Sequence, residues 1–219
     1  TVPAAQAKIV EPTLARYRQG KPVREFDALI HVMRNNIVDL SGRDILEVGC
    51  STGYLSEVLA LNSCGRAYTG CDYAEEFVSL ARARYPERVW HVQDATQLRY
   101  DDNSFDVVLS GCCILHILDY DKAIAEAVRV ARDYVVFHRT PLLKVDGPVY
   151  YKKRAYDVDM LEIHFNETKL IESVQSVGCE LVESIAVDEF PFWRNRDTFA
   201  ISTLIFRKRP RPVGVQQWD

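Results

Sequence analysis

The chain has 219 residues, 47 % of them apolar and 26 % charged, which is the composition of an ordinary folded globule of one domain. With 27 Lys and Arg against 31 Asp and Glu the formal charge is −4, so no global positive field favours nucleic acid or an anionic membrane. The longest mostly apolar stretch, 105–118, contains Asp106 and His116 and is too short to span a bilayer. No signal-peptide pattern opens the chain, and a cytoplasmic location is expected. Cys50, Cys64, Cys71, Cys112, Cys113 and Cys179 form no Cys-x-x-Cys pair and mostly sit in or beside apolar runs, so they read as reduced core thiols.

In chain order, residues 14–40 predict one or two helices, part of an N-terminal segment (1–40) laid over the domain and covering its site. Residues 44–48 form a short apolar strand ending at Gly49, and 54–61 a helix with Leu55, Val58 and Leu59 on one face. A second strand, 66–71, closes at Asp72, and a helix over 74–85 stops at Pro86. The third strand is 89–92. The fourth, 106–110, is almost continuously apolar, as a strand covered on both faces is. Asp121 caps a helix running through Ala131, and 134–138 is the fifth strand. Such alternation implies a parallel sheet with right-handed crossovers.

The rhythm breaks over 139–165, where no period is evident. The length and the aromatic side chains of this stretch predict an ordered, cap-like insertion. Asn166 then caps a helix with Leu170, Ile171, Val174 and Val177 inward, ended by Gly178. Residues 179–187 and 199–206 read as two last strands, an antiparallel pair at the sheet edge. Arg207-Lys208-Arg209-Pro210-Arg211 opens a solvated basic tail, 207–219. The fold class expected is doubly wound α/β: a mostly parallel seven-stranded sheet, helices on both faces, and an antiparallel last strand.

The turn Glu47-Val48-Gly49-Cys50-Ser51-Thr52-Gly53 lies between a strand and a helix, where glycine lets backbone approach a ligand. A dinucleotide fingerprint would need glycine at 51 and 54, which are Ser51 and Tyr54, and no Gly-Lys-Ser/Thr phosphate loop is present. An acid two residues before the first glycine is unhelpful for pyrophosphate. It is acceptable for a ligand that bears an amino group and a sulfonium.

Residues 45–53 resemble motif I of the class I (Rossmann-like) S-adenosylmethionine-dependent methyltransferases, in which Ser51 replaces a frequent glycine. Asp72 at the end of the second strand, Asp94-Ala95 after the third and Phe105-Asp106-Val107-Val108 at the fourth resemble the family's later motifs, with Cys112 to Asp119 similar to the segment that follows. The resemblance covers roughly 43–140 and, more loosely, the last strands, and makes 41–206 a methyltransferase domain. It implies S-adenosyl-L-methionine as cofactor. Glu47, Gly49, Ser51 and Gly53 would border its methionine end, Asp72 would take the ribose hydroxyls, and Tyr73 would flank the adenine. Asp94 would accept from the adenine amino group beside Ala95, and a carbonyl near Gly111 or Cys112 would receive the ammonium. On the residues alone the alternative for Asp72 is a cap on the following helix, and for Asp94 a surface turn.

For a general base the candidates are His116, His138 and His164, with Asp119 and Glu162 behind them. Tyr150 and Tyr151 are expected to line an acceptor pocket. Lys152-Lys153-Arg154 hints at an anionic acceptor or forms a solvated charged face. No metal site is expected, since adjacent Cys112 and Cys113 chelate one ion poorly. The reaction implied is O- or N-methylation of a small molecule or saccharide by a monomer or homodimer, without nucleic acid or membrane as partner. The alternatives are a non-catalytic S-adenosylmethionine-binding protein on the same fold and, against Ser51 and Tyr54, a nicotinamide-dependent oxidoreductase.

Overall fold

The computed structural model describes residues 1–191 and 198–210. Two helices, α1 (Val2–Arg18) and α2 (Arg24–Asn36), precede the alternating core: β1 (Asp44–Val48), α3 (Tyr54–Leu61), β2 (Ala67–Asp72), α4 (Glu75–Arg84) and β3 (Val89–Val92). It continues with β4 (Phe105–Gly111), α5 (Tyr120–Val130) and β5 (Ala131–Leu143). A hairpin of β6 (Val149–Ala155) and β7 (Val158–Asn166) follows, then α6 (Glu167–Ser176), β8 (Cys179–Pro191) and β9 (Thr198–Lys208).

Strand order is β3-β2-β1-β4-β5, all parallel, with β9 antiparallel to β5 and β8 antiparallel to β9. The expected class is therefore found. Two strands beyond the expected seven come from the hairpin within 139–165. Because the chain walks outward from β1 to β3 and restarts at β4, α3 and α4 cover one face while α5 and α6 cover the other. Leu55, Val58, Val78 and Ala81 accordingly share one apolar core with α2, and Ile124, Val128, Leu170 and Val174 share the second. The reversal lies between β1 and β4, which is where open α/β sheets form a ligand crevice at their carboxyl edge.

Strand β5 runs 13 residues and outlasts β4, whose last partner on it is His138 opposite Gly111. Beyond that point the flank left by β4 is taken by β7, which pairs in parallel at Leu142 opposite Phe165 and Leu143 opposite Asn166. The hairpin therefore stands on the carboxyl end of β4. Its turn, Tyr156-Asp157, has both residues at positive φ (54° and 61°), the backbone of a two-residue primed turn. Such turns announce themselves by Asn-Gly or Asp-Gly, and Tyr-Asp does not, so periodicity alone missed the pair.

Asn166 caps α6 as expected, its side chain accepting from the Lys169 amide at 2.8 Å, with Gly178 just beyond the helix at φ 101°. The basic run is a correction: Arg207 and Lys208 belong to β9, and Arg211 lies outside the described residues. Lys208 Nζ donates to the carbonyls of Val128 and Ala131 at 2.7 Å each and to Asn103 at 2.8 Å. It thereby satisfies the orphan acceptors where α5 passes into β5, and Arg207 lies over the Tyr134 ring, 5.7 Å from its centroid. Replacing Lys208 with Met should cost about 1–2 kcal/mol of stability through these carbonyls. Urea melts of the two proteins check this, and an unchanged midpoint would show that water replaces the ammonium without loss.

Candidate functional site at the carboxyl edge of the sheet

Strand register gathers the candidate residues at one edge. Glu47 lies opposite Gly70 of β2 and Leu109 of β4, so Gly49, Asp72 and Gly111 all emerge together. Gly49, Ser51 and Gly53 have φ of 74°, 51° and 78°, and the amides of Gly49 and Cys50 both donate to the Cys71 carbonyl at 2.8 and 2.9 Å. This doubled bond turns the chain sharply from β1 into α3. The glycines answer first to the protein's own packing: a Cβ on Gly49 would lie 2.2 Å from Cys113 Sγ, and one on Gly53 2.4 Å from the Trp90 ring. Sequence reasoning assigned that closeness to a ligand, whereas the loop after β4 and the ring of β3 already demand it.

Two acids frame the turn. Glu47 is 2 % exposed, with the Tyr68 hydroxyl donating to its Oε2. Burial raises its carboxyl to a pKa of about 8, the Tyr68 bond opposing and the Asp72 charge assisting. Asp72 is buried, its Oδ2 accepting from the Ser51 amide at 2.9 Å and its Oδ1 from the Ala74 amide at 3.1 Å. Burial moves its pKa up against those amides. Asp72 thus ties the glycine turn to the start of α4. Beside it Tyr73 is 80 % exposed. Asp94 is exposed and accepts from the Thr96 amide and hydroxyl at 2.8 Å, which lowers its pKa, while Ala95 packs on the second core.

Helix α1 reaches this edge. Ser51 donates to Gln6, Glu11 pairs with Arg84 of α4 at 2.5 Å and with Arg18 at 2.6 Å, and Arg18 bonds Glu57 of α3 at 2.9 Å. Only Pro3 and Leu14 of α1 are buried, so charge pairs more than apolar contact hold it there.

The three histidines differ. His116 Nδ1 donates to the Leu161 carbonyl at 2.6 Å and fastens the short turn after β4 to β7. His138 is buried, bonded through Nδ1 to Thr203 at 2.8 Å, and burial, with the Arg139 charge, lowers its pKa to about 3. His164 is buried between the Tyr151 and Phe199 rings, 4.5 and 4.6 Å away, with Nε2 3.0 Å from Glu162 Oε1. Its Nδ1 has no partner among the described residues. Glu162 also accepts from Lys153; these two bonds outweigh burial and lower its pKa to about 2.

Tyr150 and Tyr151 are successive strand residues and face opposite ways. Tyr151 meets His164, whereas Tyr150 is half exposed, so the two cannot line one pocket. The cationic run is ion-paired across the hairpin: Lys152 pairs with Asp159 at 2.8 Å, Lys153 with Glu162, and Arg154 with the same Asp159 at 3.5 Å. Its hint of an anionic acceptor is therefore withdrawn, since β-pairing alone explains the charges.

Fold and edge together define a doubly wound α/β protein with an acid–glycine turn at its strand-order reversal. Residues 46–137 match the methyltransferase domain family. A probable S-adenosylmethionine-dependent methyltransferase of Mycolicibacterium smegmatis is 28 % identical over 82 % of this chain and 68 % of its own length. The demethylmenaquinone methyltransferase of Clavibacter sepedonicus is 29 % identical over 75 % of the chain, which spans 64 % of that relative. A crystal structure of an S-adenosylmethionine-dependent methyltransferase from Methanosarcina mazei superposes with a TM-score of 0.65 at 18 % identity, over 82 % of this chain and 98 % of that one. The chain is thus similar to the class I, Rossmann-like S-adenosylmethionine-dependent methyltransferases, with the domain match confined to residues 46–137. No helix among the described residues is long and apolar enough to cross a membrane.

The Glu47 carboxyl has a signature in stability. Its pKa is about 8 folded against 4.5 unfolded, so between those values the folded state holds the extra proton and stability falls as pH rises. Glu47→Gln mimics the protonated form. Its urea midpoint should match the parent's near pH 4 and exceed it increasingly toward pH 8. A constant difference across that range would mean that Glu47 is ionised in the folded protein.

Proposed function

We propose that the chain transfers a methyl group from S-adenosylmethionine to a small organic or saccharide acceptor on oxygen or nitrogen. The observation that carries this reading is Glu47, a buried carboxyl at the strand-order reversal bonded by one hydroxyl. Burying such a group without a ligand role is costly. The donor set fits the cofactor: Thr52 Oγ1 is buried in the turn without a partner among the described residues, and Asp72 stands beside the exposed Tyr73. When bound, the cofactor supplies an electrophilic methyl group on a sulfonium.

The chain's own part is orientation and exclusion of water, which dominate an in-line displacement. Glu47, Gly49, Ser51 and Gly53 are read as bordering the methionine end, Asp72 and Tyr73 the nucleoside, Asp94 and Ala95 the adenine, and Gly111 and Cys112 the ammonium. Segment 1–40 is read as the cover through Gln6 on Ser51, and the 139–165 hairpin as the acceptor wall. The name of the Clavibacter relative is consistent with a small organic acceptor. Among the histidines the geometry favours His164 as base. Glu162 orients it through Nε2 and leaves Nδ1 free, whereas His138 is too weak a base and His116 is oriented by a neutral carbonyl, which does not raise its basicity as a carboxylate does.

S-adenosylhomocysteine should raise the melting temperature by mass action while NAD does not. Asp72→Ala should weaken S-adenosylhomocysteine binding by about 1.5–3 kcal/mol. Calorimetry showing NAD binding and no adenosyl ligand would overturn the reading. With an acceptor in hand, His164→Gln should lower kcat about a hundredfold or more with little change in KM, and Glu162→Gln should lower it less while shifting the pH profile. An unaltered kcat for His164→Gln would remove the assigned base.

A further inference from the structure

Strand β5 carries an irregularity where it leaves β4. Its register with β9 slips between Phe137, opposite Leu204, and Thr140, opposite Ser202, so that His138 and Arg139 together face Thr203. Arg139 sits in this bulge at φ 56°. The parity of the strand changes there: Tyr134 and Val136 lie in the core under α2 and α3, and Phe137 and Leu142 both lie in the opposite core. Five residues apart in an unbroken strand, Phe137 and Leu142 would face opposite ways. The extra residue therefore turns His138 and Arg139 to the same face, that of Glu47 and Tyr54. Bulges that re-aim a side chain are common beside active sites.

The guanidinium so placed is half-buried and acts on the Cys112 thiol, the Tyr54 hydroxyl and the Glu25 carboxylate. No carboxylate among the described residues comes within 4.0 Å of it. Cys112, beside it, also has a positive φ of 54°, and its amide donates to the His138 carbonyl at 2.8 Å. Tyr54 is the first residue of α3, directly after the glycine turn, and it is buried. Burying a cation without a counter-charge is expensive, and guanidinium is the side chain best shaped to grip a planar carboxylate or a phosphate.

We infer that Arg139, with the Tyr54 hydroxyl, holds an anionic group of the acceptor, a carboxylate or phosphate, beside the methionine end of the cofactor. This rests on the methyl-donor reading above. It moves the anion preference from the exposed lysines of the hairpin to Arg139, in the bulge of β5 against β9. Arg139 stays charged throughout the working pH range, as a guanidinium does, with the neutral Tyr54 hydroxyl and Cys112 thiol beside it and the Glu25 carboxylate farther off.

The same chemistry could be met by the cofactor's own carboxylate, and the test separates the two sources. Benzoate and its neutral match benzamide are titrated by calorimetry into the full chain saturated with S-adenosylhomocysteine. The parent should prefer benzoate by about tenfold or more. Arg139→Gln should lose that preference with S-adenosylhomocysteine affinity unchanged, and Arg139→Lys, which keeps the charge and guards against a folding artefact, should retain part of it. Equal binding of the two probes by the parent overturns the inference. So does an Arg139→Gln protein that loses S-adenosylhomocysteine but keeps 5′-methylthioadenosine, which lacks the carboxylate; the guanidinium then serves the cofactor. If the parent bound no S-adenosylhomocysteine, the methyl-donor reading would fall on that result alone, and the benzoate preference would still be read without it.

Discussion

The length of β5 governs how this molecule is arranged at its working edge. A strand of 13 residues pairs with β4 only as far as His138, and its remaining backbone groups on that flank need partners. Strand β7 supplies them, bringing the whole hairpin onto the carboxyl end of β4, and Leu161 then receives the His116 ring. On the other flank β9 follows β5 along nearly its full length, and the slip in their register places His138 and Arg139 side by side. One overlong strand thus sets the wall above the edge and the charge within it.

Polar groups at this edge are buried with few partners, and the cost is met by the stability of the sheet beneath them. Glu47 holds a proton near neutrality, His138 refuses one, and Thr52 and His164 each keep an atom without a partner among the described residues. These groups lie on β1, β5 and β7 and in the turn after β1. Strongly shifted groups at a strand-order reversal mark a candidate binding site, and Glu47 and His138 stand on the two strands that flank β4. Elsewhere, as at Lys208 on its carbonyls or the Arg129–Glu126 pair, polar groups are matched locally and serve the fold.

The amino-terminal helix follows a different logic. It buries little apolar surface and is held by Gln6, Glu11 and Arg18 through contacts to the glycine turn, α4 and α3. Exposed ion pairs of this kind contribute modestly and weaken with salt. Such an attachment suits an element that must give way, and it lies over the turn the cofactor is read to occupy.

Local pattern was enough for the alternating strands and helices from Asp44 to Val130, because each buries a stripe or face whose period is written in consecutive residues. It was also enough for the Asn166 cap and for the acid–glycine turn that carries the resemblance. What it left undetermined depends on contacts between residues far apart. The hairpin of 149–166 has an alternation only one strand deep and a turn without its usual glycine. The reach of β5 is decided by β7 and β9, and the ion pairing of the lysine run by acids across the hairpin. That Gly49 is required by Cys113 as much as by any ligand, and that Arg139 rather than Lys152 faces the site, follow from a bulge and a loop closure. Register and parity between strands are properties of pairs, so no single segment of the chain contains them.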